Sequence, residues 1–183
     1  MPIKAEKLVT SVPVPEGVTV SLNRHMLVVD GPRGRAIKSF RKIPVNIGVS
    51  GDAVSLRAGG SRKRDYAILN TARSLVGNLC QGVVEGYTVK MKIVYAHFPV
   101  TVKVQGDSVL IENFQGERAP RVARIHGSAK VDPQGDDVIV TGHVLTDVTQ
   151  TAANIQLKTR IKNKDHRVFL DGIYVYDKRT GTD

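Results

Sequence analysis

The sequence predicts an α+β protein made of two similar, duplicated domains, each an antiparallel sheet with one main helix packed on it. Three observations lead there. The stretch Val18–Gly34, VTVSLNRHMLVVDGPRG, is written again as Val100–Gly116, VTVKVQGDSVLIENFQG, at an offset of 82 residues. Two shorter echoes follow in the same order: Ser50-Gly51-Asp52-Ala53-Val54 with Gln134-Gly135-Asp136-Asp137-Val138, and Glu85-Gly86-Tyr87-Thr88-Val89 with Asp171-Gly172-Ile173-Tyr174-Val175. Each copy also carries one apolar stripe at helical spacing. The period far exceeds the 20–50 residues of a stacked array, so each copy is expected to be a domain. The expected division is 1–86 and 87–183.

In chain order, residues 1–12 read as a loosely held lead-in, and Pro13 and Pro15 favour extended chain after it. Val18–Gly34 alternates β-branched and polar residues around Asn23-Arg24-His25, a hairpin pattern. Arg35–Phe40 alternates again and predicts a half-buried strand. Val45–Val49 and Ala53–Arg57 form a second hairpin around Ser50-Gly51-Asp52. Gly59-Gly60 then breaks the strand, and Ser61 is placed to cap a helix over about Arg62 to Leu79. Its stripe is Ile68, Ala72, Leu75, Val76 and Leu79, with Cys80 at its end. Tyr87–Val94 is a strand leading to the second copy.

That copy repeats the scheme. A hairpin covers Val100–Glu112, strands follow at Arg121–Ile125, near Lys130 and at Val138–Thr141, and a helix runs from about Thr146 to Arg160. Val148, Ala152 and Ile155 form its stripe, and Asp147 suits its dipole. Arg167–Val175 reads as the last strand, followed by a polar tail.

Composition narrows the function. The chain has 183 residues with 27 Lys and Arg against 17 Asp and Glu, a formal net charge of +10. Such a balance points to a polyanionic partner, nucleic acid before an anionic membrane surface. No basic amphipathic helix, lipidation signal, secretion signal or apolar run near ~20 residues supports a membrane role. The single cysteine, Cys80, excludes an internal disulfide framework and fits a reducing compartment; on an apolar face it reads as core. The chain is therefore expected to be cytosolic.

Catalytic patterns are missing. The histidines at 25, 97, 126, 143 and 166 are scattered, with no metal-ligand spacing. No GxxxxGK[ST] loop or dinucleotide fingerprint occurs. Asp136-Asp137 point to opposite faces of a strand. No catalytic residue, metal, cofactor or small-molecule substrate is expected.

Three basic clusters remain, each readable as solvated surface charge or as anion contact. Arg62, Lys63 and Arg64 sit at a helix start, where cations oppose the dipole and N–H groups attract anions. Arg118, Arg121 and Arg124 are spaced like one side of a loop-to-strand segment. Lys158, Arg160, Lys162, Lys164 and Arg167 are the strongest group, five cations against one acid beyond the last helix. Aromatic content is 5% with no Trp, and the clusters are not interleaved with exposed-looking rings, which disfavours a base-stacking platform. Contacts to phosphate and 2′-hydroxyl groups of folded RNA fit best.

Glu85-Gly86-Tyr87-Thr88-Val89-Lys90-Met91-Lys92, Tyr95-Ala96-His97-Phe98-Pro99, Ile111-Glu112-Asn113-Phe114 and Arg167–Tyr174 (RVFLDGIY) carry a family likeness. Through them the chain resembles the large-subunit ribosomal protein L-six family, in its archaeal and eukaryotic cytosolic branch, from about Pro13 to about Lys178. The resemblance implies a two-domain duplicated fold and a structural constituent of the large ribosomal subunit in the cytoplasm. It further implies binding to large-subunit ribosomal RNA chiefly through the C-terminal domain, with neighbouring ribosomal proteins as partners. The implied location is the factor-binding region, by the sarcin–ricin loop and the stalk base. Where bacterial members carry a Gly- and Lys-rich segment, this chain has Arg167–Tyr174. Two other classes stand against this reading: an enzyme acting on nucleic acid, and a protein–protein adaptor with an acidic partner.

Overall fold

A computed structural model describes residues 8–165 and 167–182. The chain divides into two units, Met1–Glu85 and Gly86–Asp183. Unit 1 contains β1 (Val9–Pro13), β2 (Thr19–Asn23), β3 (Met26–Gly31), β4 (Gly34–Ser39), β5 (Val45–Ser50), β6 (Ala53–Ala58) and helix α1 (Lys63–Val84). Unit 2 contains β7 (Tyr87–Val94), β8 (Thr101–Gln105), β9 (Ser108–Glu112), β10 (Arg121–Arg124), β11 (Lys130–Gln134), β12 (Asp137–Gly142), helix α2 (Leu145–Lys158) and β13 (Gly172–Thr180). Among the described residues each unit holds two antiparallel sheets rather than one. They run β2-β3-β4 and β1-β6-β5 in unit 1, and β8-β9-β10 and β11-β12-β7-β13 in unit 2. One helix packs on both sheets of its unit.

The duplication reaches the hydrogen-bond register. In β2-β3, Thr19 faces Asp30 and Asn23 faces Met26; in β8-β9, Thr101 faces Glu112 and Gln105 faces Ser108. Every pair shifts by 82 residues. Register is set by turn and pattern, and a slip by one would turn all the apolar residues outward. Two lone backbone bonds recur as well. Phe40 N donates to His25 O (2.7 Å) as Ile125 N does to Asp107 O (2.9 Å), and Val14 N donates to Asp52 O (3.0 Å) as Ile93 N does to Asp136 O (2.8 Å).

The second of these pairs corrects the third sequence echo. It makes β7 the counterpart of β1, both lying beside the equivalent strands β12 and β6. Glu85–Val89 and Asp171–Val175 are therefore not equivalent positions. They belong to two strands, β7 and β13, that pair with each other in one sheet. Nor is the stretch after Val175 a free polar tail: β13 runs to Thr180, with a bulge at Tyr176. Val9–Pro13 is likewise a strand rather than lead-in, paired with β6; residues 1–7 lie outside the described part.

Both helices bury an apolar stripe. In α1 it is Leu69, Ala72, Val76, Leu79, Cys80 and Val83; Ile68 and Leu75, expected there, are half-buried. The helix starts at Lys63, with Arg62 rather than Ser61 at the N-cap, and the Asp65 carboxylate accepts the Arg62 N–H at 3.0 Å. In α2 the buried residues are Val148, Thr151, Ala152 and Ile155. Val148, Ala152 and Ile155 share one core cluster with Val89, Met91, Ile111, Phe114, Val138 and Val140. Among the described residues no helix is long and apolar enough to cross a membrane.

Candidate nucleic-acid interface

Helix α2 has 14 residues and α1 has 22. Eight residues are about 12 Å of helix. Where α1 continues, the second copy leaves the helix and runs as irregular chain over Thr159–Asp165 and Arg167–Asp171, a segment carrying four cations. Its first residues alternate. Thr159 and Ile161 are buried, whereas Lys158, Arg160 and Lys162 are exposed. The Thr159 hydroxyl accepts the Ile173 N–H at 3.1 Å and donates to the Gln156 carbonyl at 3.1 Å, which ties the segment to β13. Buried anchors at every second position thus aim the intervening cations outward.

Arg121 joins this segment from β10. Its Nη1 donates to the carbonyls of Lys158 (2.8 Å) and Arg160 (3.2 Å), capping the end of α2. Nε and Nη2 grip the Glu117 carboxylate at 2.8 and 2.6 Å, and the guanidinium lies 4.3 Å from the centre of the Phe114 ring. The hydrogen bond from Arg121 holds the Glu117 carboxyl below the usual carboxylate range, helped by the charges of Arg121 and Lys164 and opposed by partial burial. Around these groups lies a cleft of about 660 Å³, lined by Gln115, Glu117, Arg121, Leu157, Lys158, Arg160, Lys162 and Lys164. Five cations face one acid. Such a concave, one-sign surface concentrates field and attracts anions.

The structure thus brings Arg121 together with the Lys158–Lys164 segment, but not all of the expected residues. Arg124 lies on the opposite face of β10 from Arg121, because residues three apart in a strand alternate sides, so the expected single-sided row is not formed. Arg118 is exposed in the loop before β10. Arg167 is 90% exposed at its side chain and pairs with Asp165 at 3.3 Å, not with Asp171. Asp171 instead accepts the Ala96 N–H at 2.8 Å. His166 lies outside the described residues. Lys164 sits 4.6 Å from the centre of the half-exposed Phe169 ring. The basic segment therefore does carry an accessible ring, which its sequence spacing had hidden. In unit 1, Arg62, Lys63 and Arg64 are all exposed at the start of α1.

Sequence reasoning passed over a fourth group. Arg24 and His25, at the tip of the β2-β3 hairpin, stand beside Arg41, which follows β4. The available signal was in the repeat: Arg24 occupies the place of Gly106.

No group of three or more His, Cys, Asp or Glu able to hold a metal occurs among the described residues. His126 and Asp147 meet at 3.1 Å, where they tie a loop to the start of α2. Cys80 is buried, and burial pushes its thiol pKa up, away from nucleophilic reactivity.

A duplicated α+β scaffold whose polar chemistry lies in surface cations defines a structural or binding protein. The sequence profile described as ribosomal protein L6 matches residues 98–172. The large ribosomal subunit protein uL6 of Methanosarcina mazei is 43% identical over 173 residues, covering 94% of this chain and 98% of its own length. That of Methanobrevibacter smithii is 45% identical over 90% of this chain and 93% of its own, and that of Aeropyrum pernix 42% over 93% and 94%. The chain belongs to the ribosomal protein L6 family, and the family is non-enzymatic.

Proposed function

We propose that this chain, a structural constituent of the large ribosomal subunit in the cytoplasm, binds large-subunit ribosomal RNA through phosphate and sugar contacts. Unit 2 supplies the principal contact. The observation that carries this is the cleft at the end of α2, where Arg121, Lys158, Arg160, Lys162 and Lys164 converge on one acid. Lys158, Arg160, Lys162 and Lys164 are aimed at phosphate. Arg167 and Arg118 extend the face, and Arg124 and the Arg62–Arg64 group add contacts of their own. Arg121 acts chiefly by holding the segment in place. Membership of the family supports a position near the factor-binding region, with ribosomal proteins as neighbours.

Overall charge would choose the other half: residues 1–86 hold 13 cations and 6 acids, residues 87–183 hold 14 and 11. Convergence in space decides instead, since phosphate contacts depend on cations within reach of one backbone and five of them line this cleft. The test is a salt titration of ribosomal RNA binding by Lys162→Ala/Lys164→Ala beside Arg62→Ala/Lys63→Ala. Each lost phosphate contact should make the slope of log affinity against log salt shallower by roughly 0.7–0.9. The first pair should cost the more affinity, equally for all RNA sequences. A larger loss from the second pair would reverse the assignment.

A further inference from the structure

We propose that unit 1 carries a second RNA-phosphate face, at the end where α1 begins, centred on Arg24 and Arg41; this rests on the RNA-binding reading above.

Three short segments meet at that end. The hairpin tip Asn23–Met26 is joined to the turn after β4 by the Phe40 N–H bond to His25 O. The turn reaches the α1 start through Pro44, whose carbonyl lies 3.2 Å from where a Cβ of Gly59 would stand. Residues 23–26, 40–44 and 59–65 together hold six cations, Arg24, Arg41, Lys42, Arg62, Lys63 and Arg64. Their one acid, Asp65, is occupied by the Arg62 N–H. Between the tip and Arg41 opens a cleft of about 880 Å³, lined also by His25 and Ser39.

The second copy supplies an internal control. Its corresponding segments, 105–108, 125–129 and 141–147, contain no Lys or Arg and two aspartates, Asp107 and Asp147. The duplicated scaffold therefore does not need charge there. Arg24 makes the point at one residue. Its φ is 57°, in the left-handed region, and its counterpart Gly106 has φ 56°. Glycine adopts that conformation freely and arginine does so with strain. An arginine held in strained backbone at an exposed tip, where the copy uses glycine, marks a position kept for its charge. A phosphodiester backbone is the matching ligand, because the cations are spread over three segments, as a run of successive phosphates would require.

The test uses the full chain, large-subunit ribosomal RNA and the variant Arg24→Gly/Arg41→Ala. Two lost phosphate contacts make the salt slope shallower by about 1.4–1.8, which is about 25–60-fold in affinity near 0.1 M salt. Arg24→Gly alone should leave the melting temperature unchanged or raise it while lowering affinity, which separates charge from folding. Arg24→Lys/Arg41→Lys should restore most of the slope. Wild-type slope in Arg24→Gly/Arg41→Ala, with Lys162→Ala/Lys164→Ala still weakened, overturns this face and leaves the unit 2 contact standing. Loss of binding to an acidic polypeptide such as polyglutamate, with RNA affinity intact, overturns it too. A wild-type chain with no salt-dependent RNA binding would instead sink the underlying reading.

Discussion

Arg121 sends four hydrogen bonds inward and is 20% exposed at its side chain, where Arg167 is 90% exposed. The two arginines look alike in sequence. They differ because the acceptors of Arg121 lie on residues 37 and 39 positions later as well as on Glu117, and no local spacing reports such partners. Arg121→Ala removes two carbonyl caps, a bidentate ion pair and a ring contact. It should destabilise unit 2 by about 2–3 kcal/mol in chemical denaturation. Arg121→Lys should recover little of that, since an ammonium lacks the fork. Glu117 gives a pH signature. Its folded pKa is depressed, so its contribution to stability is complete above the unfolded carboxylate value, about 4.3, and is lost as pH falls through the lower folded value. Glu117→Gln should therefore be less stable than the wild type near neutral pH, with the gap closing below about pH 4. A gap that stays constant to low pH would contradict the pairing.

At the scale of elements, the start of α2 is fastened rather than merely capped. The Asp147 carboxylate accepts the Ser128 N–H at 3.2 Å and meets His126, while the Thr151 hydroxyl accepts the His126 N–H at 2.9 Å. Gly127 lies between, at φ +57°, with the Asp147 carboxylate where a Cβ would go. Gly127→Ala combines backbone strain with that clash and should cost about 1–3 kcal/mol by thermal melting. Asp147→Ala should cost about 1–2 kcal/mol. Much at this scale is legible in sequence, because a hairpin's alternation and a helix's stripe are local patterns. The first hairpins, Tyr87–Val94 and the stripe of α2 are all readable in that way. What is not legible depends on distant chain. Residues 176–180 are polar and become strand because β7 offers an edge to pair with. Leu69 displaces Ile68 from the core of unit 1 through the way α1 sits on two sheets.

Over the whole molecule, one scaffold has been used twice, with the basic clusters described above at opposite ends of its helix. Unit 1 places them at the start of its helix and at the β2-β3 tip. Unit 2 shortens its helix and places them beyond its end. The doubling is readable in the sequence, since registers and turns repeat at nearly constant spacing. The convergence of Arg121 on the last segment is not, because it arises from folding. We propose that the units are separable domains, each with its own core. Val76→Ala and Ile155→Ala should each cost about 2–4 kcal/mol and move separate unfolding transitions in calorimetry; one shared transition shifted equally by both would contradict separability. The central claim, that the end of α2 is the main RNA contact, is most directly tested by crosslinking the native large subunit and sequencing the protein peptides that retain ribosomal RNA after nuclease treatment. The account predicts that peptides spanning Lys158–Arg167 dominate, with those around Arg24–Arg41 next. Dominance by peptides remote from both basic ends, with Lys158–Arg167 uncrosslinked, would contradict it.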